Sequence, residues 1–361
     1  MIGLDGMCIT GGQLVSYGVG AGFAHVQIGL RYMVGGGAIP AIILAYLLPF
    51  CPESPRQLIY HGTSEEAERV IQKPFPNGTE EQVQMKVRHI TIHVEEAKNM
   101  NAGKSQWWVL KQLYVIPVNL RALVSACGLM AISQLSGFNS LVYYSPLILS
   151  LLGFDNPVAV GTIIAGTNFI FTLANLLLVD RVGRRRILFC TVQFMGLFLI
   201  VAAVAFKWIP INHGLSLGEG ATMGPPAIIV LLSMVFFVGF YSSGIGNTAW
   251  LSSEFFAMEV RAIGTMMLTM SCWGSKIVVA STFLTQIEHT TPSSAFGFYA
   301  AICVLGWVSI YICYPEVKNI TLEDIREVFS HGFGVKRARQ LQRQMKANRK
   351  MGLVSTEDVK V

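Results

Sequence analysis

Charge is the first thing this chain has little of. Only 13% of its 361 residues are charged, against about 25% in an ordinary soluble domain, while 52% are hydrophobic. That balance excludes a disordered chain and argues against a cytosolic enzyme. The 14 Pro and 35 Gly are too few for a collagen repeat or a low-complexity linker. Seven Cys are scattered through apolar runs, with no CxxC pair and no His at ligand spacing. Neither a disulfide framework nor a metal site is expected. No nucleotide cradle, catalytic triad or cofactor motif is visible, so enzymatic chemistry has no seat here. The formal net charge is +6, and the position of the positives matters more than their sum.

What the chain does have is long apolar runs. About 20 such residues span a bilayer as a helix. Eight segments qualify: 2–23, 32–50, 122–152, 158–179, 187–206, 226–250, 262–284 and 295–314. The expected fold is therefore an all-α polytopic membrane protein with eight transmembrane helices. The first run is the weakest, because it holds Asp5, Gln13 and seven Gly, but it lacks the basic leader and cleavage site of a signal peptide. The chain divides at the polar stretches into residues 1–51, 52–121, 122–314 and 315–361.

The loops test these spans. Eight crossings put 24 of the 27 Lys and Arg on one side of the membrane. Such a bias is what the positive-inside rule requires, so both termini are expected in the cytoplasm. It also explains the net charge without nucleic acid as a partner. Two acceptor sequons, Asn77-Gly-Thr and Asn319-Ile-Thr, fall on the cytoplasmic side and should stay unmodified. The loop 52–121 is expected to form short amphipathic helices, one opening at Thr63-Ser64. The basic run Lys336–Lys350 reads as a solvated helix or as a contact with anionic lipid.

Polar residues inside spans are costly unless they face a cavity or another helix. The third run is too long for one straight helix, and Gln134-Leu-Ser-Gly-Phe-Asn139 interrupts it ahead of Tyr143 and Tyr144. Discontinuous helices at the midplane are a common way to build a transport site. The bland alternative is hydrogen-bonded glue between helices. Gln13, Asn168, Asn175 and Asn247 add amides that can both donate to and accept from a polyol. Trp250 and Trp273 offer flat faces for a sugar ring, or interfacial anchors. Lys276 lies within a span, where snorkelling, packing and substrate contact all remain open.

A second constellation is charged and lies at helix ends. It comprises Glu53 and Arg56 after the second span, Asp180, Arg181, Arg184 and Arg185 between the fourth and fifth, Glu254 and Arg261 between the sixth and seventh, and Glu316 after the eighth. Such groups can pair bidentately and latch one conformation. The alternative is that the arginines only set topology.

Together these residues resemble the sugar-porter branch of the major facilitator superfamily. Pro52–Arg56 is similar to the motif after the family's sixth helix, and Gln134–Asn139 with Tyr143 and Tyr144 to its seventh-helix signature. Asp180–Arg185 resembles the family's Arg-x-Gly-Arg-Arg loop, and Asn168 stands twelve residues before it, like a sugar-contacting Asn. Trp250, Glu254, Arg261 and Pro315-Glu316 resemble later motifs in the right order. Ile9–Tyr17, Gly137–Tyr143 and Gln57 are most similar to fungal myo-inositol transporters.

The resemblance implies that the eight spans are helices 5–12 of a twelve-helix fold. The first two then end the N-terminal bundle and 122–314 is the C-terminal bundle. It implies transport of myo-inositol or a related polyol or sugar by proton symport, with no cofactor. It implies contact with substrate for Gln13, Gln134, Asn139, Tyr143, Asn168, Trp250 and Trp273, and a cytoplasmic gate made of the charged residues. A multi-pass protein of the plasma membrane is expected, although a vacuolar membrane meets the same physics. Ser133, Ala249, Cys272 and Lys276 depart from the family pattern, and its first four helices have no counterpart. A non-transporting sensor or an inactive partial carrier is the alternative reading.

Overall fold

A computed structural model describes residues 2–23, 26, 28–72, 83–85, 87–88, 90–92, 94–95, 105–154, 156–209, 211–212, 216–217, 224–257, 259–317, 322–330 and 332–350. The two sequons lie outside the described residues. The structure is almost wholly helical; a pair of two-residue antiparallel strands, Ile211–Asn212 with Ser216–Leu217, is the one sheet among the described residues. The chain forms two compact units, residues 26–111 and residues 1–25 with 112–361.

The smaller unit begins with α2 (Gly29–Gly36) and α3 (Ala38–Leu47), followed by a tight turn at Leu48–Phe50. No residue of α3 is buried, as befits a helix whose apolar side chains face lipid. After it come α4 (Pro55–Tyr60) and α5 (Ser64–Gln72), which starts where the Thr63-Ser64 signal places it and carries Glu65 and Glu66 in its first turn. Acids there oppose the positive end of the helix dipole. Ile59, Ala67, Ile71, Val83, Val87 and Val94 form a small core of their own. This loop is thus a packed element. The unit runs into α6 (Gln106–Val115), which crosses the boundary between the two units.

The larger unit holds α1 (Ile2–Phe23) and a bundle of α7 (Pro117–Leu135), α10 (Pro157–Val182), α11 (Arg184–Phe206), α12 (Pro225–Ser243), α14 (Arg261–His289) and α15 (Pro292–Cys313). Four of these open on proline, whose fixed φ and missing N–H suit the first helical turn. Helix α11 packs on both α12 and α15, α14 packs on α7, and α1 lies along α10. Stacked rings of Phe194, Phe198, Phe236 and Phe240 fill the α11–α12 seam.

Seven helical segments of the described residues are long and apolar enough to cross a membrane. Helix α1 has the length, at 22 residues, but its Asp, Gln and Gly content leaves it less apolar than the rest. Seven of the eight expected spans are therefore long, apolar helices, and the first, α1, does not reach that standard.

The third run breaks where expected. Helix α7 stops at Leu135, and two short helices follow, α8 (Phe138–Tyr143) and α9 (Ser145–Leu151). Gly137 makes the break with a φ of +85°, and a Cβ there would come within 2.8 Å of the Tyr299 ring. Both conditions select glycine. A second break follows α12, where α13 (Ile245–Thr248) and the tight helix Trp250–Phe255 lead to α14.

The tail is more structured than a solvated helix. Helix α16 (Leu322–Ser330) buries Ile325, Val328 and Phe329, and Arg121 donates to the carbonyls of Phe329 and Ser330, both at 3.0 Å. Helix α17 (Val335–Lys350) buries Ala338, and the Gln342 amide donates to the Glu316 carbonyl. Its first half is docked on the bundle.

Candidate functional site

The polar residues of the bundle gather around the two helix breaks. At the first, the Asn139 amide donates to Gln134 Oε1 at 2.5 Å, so the two side chains bridge the interruption itself. Both are buried. Phe138 stacks on Tyr241 with ring centroids 3.7 Å apart, and the Tyr241 hydroxyl meets Ser133 Oγ at 3.2 Å. Tyr143, by contrast, is 55% exposed.

The second cluster forms one residue further along α12. Asn168, 3% exposed, donates to Gln13 Oε1 at 2.8 Å and accepts from Ser242 Oγ at 2.6 Å. Asn175 and Asn247 both donate to the Ser242 carbonyl at 3.2 Å. Tyr241 and Ser242, adjacent in sequence, thus tie the broken helix α7–α8 to the Asn168 face of α10. Gln13 brings α1 into the same network. Further along α1, Tyr17 donates to the Val142 carbonyl at 2.5 Å and meets Ser145 Oγ at 3.0 Å. Helix α1 therefore touches the carbonyl and hydroxyl groups at the α8–α9 junction.

Chemically this is a string of neutral amides and hydroxyls, each able to exchange its protein partner for a ligand hydroxyl. It offers no nucleophile–base pair. Among the described residues no group of His, Cys, Asp and Glu has metal-ligand spacing. Trp250 is half-buried at the start of its tight helix. Trp273 lies on α14 with its ring 54% exposed and Lys276 Nζ 4.4 Å from its centroid. The structure does not draw Trp250, Trp273 or Tyr143 into the hydrogen-bonded clusters.

Four members of the charged constellation, Arg184, Arg185, Glu254 and Glu316, collect at one end of the bundle. Arg184, first residue of α11, forms an ion pair with Glu254. The Arg185 backbone N–H donates to Glu316 Oε2 at 2.9 Å, and its guanidinium donates to the Tyr311 carbonyl at 2.8 Å. Gly183, with φ +99°, lets the carboxylate in, since a Cβ there would sit 3.0 Å from Glu316 Oε2. Arg181 lies in the last turn of α10 and Arg261 opens α14. Glu53 is exposed in the smaller unit. The side chains of Arg56 and Asp180 lie outside the described structure.

A family model described as "Sugar (and other) transporter" matches residues 1–329. The chain belongs to this sugar transporter family. The chain is 40% identical over 345 residues to Myo-inositol transporter 1 of Cryptococcus neoformans var. grubii, and 36% identical over 345 residues to Myo-inositol transporter 1 of Saccharomyces cerevisiae. Each match covers 95% of this chain, and 61% and 59% of the respective relative. The chain thus spans about three-fifths of the curated relatives it matches. Among solved structures, the proton:xylose symporter XylE of the major facilitator superfamily, bound to 6-bromo-6-deoxy-D-glucose, superposes with a TM-score of 0.70. That match has 23% identity and covers 91% of this chain and 66% of the other. The shared fold is that of the major facilitator superfamily, and the apolar helices of this member of the sugar transporter family make it a multi-pass membrane protein.

Three residues of the site carry no clear mark in the sequence: Tyr17, Tyr241 and Ser242. Ser242 is the hub of the amide cluster, yet one Ser near the end of an apolar helix reads as bonding its own i−4 carbonyl. It does that too, donating to the Val238 carbonyl at 2.7 Å. The available signal is the run Tyr241-Ser-Ser-Gly244, where a break follows polar residues. Gly244 leaves no room for a Cβ against Thr191.

Proposed function

We propose that the amide–hydroxyl network centred on Asn168 and Asn139 is the substrate site of a carrier for myo-inositol or a related polyol or sugar. The observation that carries this reading is the chain Gln13–Asn168–Ser242, in which three neutral polar side chains from three helices meet inside an apolar bundle. A polyol carries several hydroxyls, so it can pair with Asn168 and with the partner it displaces, leaving no buried polar group unsatisfied. The myo-inositol transporters among the relatives support inositol as substrate. The likeness to a proton:xylose symporter supports coupling to protons.

Alternating access rocks one bundle against the other around a central site. The link from α1 to α8–α9 and α10 is a contact that such rocking would break and remake. The ion pair Arg184–Glu254 and the Glu316 cap on Arg185 serve as the cytoplasmic gate, with both termini on that side and the plasma membrane as location.

The test is uptake of labelled myo-inositol by cells expressing the full-length protein, with and without an inward proton gradient. Asn139→Ala and Asn168→Ala are each expected to reduce uptake by at least tenfold at equal surface expression. Unchanged uptake in both variants would contradict the site.

A further inference from the structure

Lys276 is a cation where the membrane allows few. It is the sixteenth residue of the 29-residue α14, at the centre of a helix that is apolar enough to span the bilayer. Ionisable groups at that depth are retained where they meet a partner or a pathway. Among the described residues no carboxylate pairs with it. The elements packed on α14, chiefly α7, α8 and α15, carry one charged residue between them, Arg121, which is committed to the carbonyls of Phe329 and Ser330. Glu254, on the tight helix that also touches α14, is paired with Arg184. Glu288 on α14 itself lies twelve residues away, about 18 Å along the axis.

The contact Lys276 does make is with the face of Trp273, 4.4 Å from the ring centroid. That ring is 54% exposed, so the ammonium and a flat apolar surface are presented side by side. Helical spacing places Thr265, Thr269, Cys272 and Lys276 on one stripe, at steps of four, three and four residues. One turn beyond Lys276, Ser140 Oγ donates to the Val279 carbonyl and the Tyr144 hydroxyl to the Ala280 carbonyl. The stripe therefore borders the broken helix that carries Asn139. A bare ammonium beside a ring face, next to a set of neutral amides, is suited to a polyhydroxylated ring with one negative charge. The ring would stack, the hydroxyls would take the amides, and the anion would take the ammonium in a charge-assisted hydrogen bond.

We propose that Lys276 and Trp273 form the anion-accepting corner of the substrate site, which makes cyclic polyols bearing a single carboxylate its preferred ligands. This rests on the reading above that the amide network is a polyol site. The test titrates D-glucuronate and myo-inositol into the purified full chain in lipid nanodiscs, at 50 and 500 mM NaCl (about a tenfold change in screening ions). The expected result is at least about tenfold tighter binding of glucuronate than of myo-inositol at low salt, reduced by high salt. Lys276→Gln should lose that preference, and Lys276→Arg should keep it. Equal affinities in the unaltered chain, or a preference that survives Lys276→Gln in a protein that still melts cooperatively, would overturn the proposal. Binding of myo-inositol without glucuronate would sink this inference alone. Binding of neither would sink the polyol site with it.

Discussion

Asn168 uses both ends of its amide, and that makes it the residue whose loss is easiest to forecast. Truncation to Ala leaves the partly buried Gln13 Oε1 short of its donor, while Ser242 Oγ falls back on the Val238 carbonyl. An unsatisfied buried group costs about 1–3 kcal/mol. Asn168→Ala should therefore lower the melting temperature of the purified protein by several degrees, and Asn168→Asp should do worse, because it places a carboxylate against Gln13 Oε1. Equal melting of all three proteins would show that the network is slack. At Gly137 the forecast is steric and conformational together. The φ of +85° costs a Cβ residue of order 1–3 kcal/mol, and the Tyr299 ring at 2.8 Å adds a clash. Gly137→Ala should destabilise, and adding Tyr299→Leu should restore only the steric part, read by thermal denaturation of the single and double variants. Full recovery in the double variant would mean that the backbone conformation carries no cost.

Elements are the most legible scale. The long apolar runs are helices within a few residues of the expected limits, because nothing but a helix satisfies its own backbone in lipid. The break at Gly137 is readable too, since glycine flanked by Gln, Ser and Asn has no other use in an apolar run. The docked tail is not. Its anchors are Arg121 reaching the backbone carbonyls of Phe329 and Ser330, some 200 residues on, and a carbonyl acceptor has no sequence signature. Ser242 stays hidden for a related reason: it works through its hydroxyl and its carbonyl at once. The helix-end charges are legible as a group, but the pairing of Arg184 with Glu254 follows only from how α11 meets the tight helix Trp250–Phe255. That pair is partly buried, so Arg184→Ala and Glu254→Ala should be non-additive, with a coupling of about 0.5–3 kcal/mol in a double-mutant cycle on stability. Additive losses would show that the two side chains act apart.

For the whole molecule, the bias of Lys and Arg to one side gives a topology that can be checked without a ligand. Asn77 and Asn319 should both escape glycosylation in a eukaryotic membrane, so endoglycosidase treatment should leave the protein's mobility unchanged. A shift at either sequon would invert the proposed orientation. The proposed topology would put the Arg184–Glu254 end and the docked tail on the cytoplasmic side, away from the entry of an external substrate. Fold and family are shared with relatives that are longer than this chain, and what its larger unit supplies is a six-helix bundle, one helix packed along it, and the polar network between them.

Everything proposed for transport depends on that network, and binding tests it most directly. Myo-inositol titrated into the purified chain in nanodiscs should give saturable heat that Asn168→Ala abolishes while the variant remains folded. Saturable binding that is the same in both proteins would contradict it, as would no binding in either.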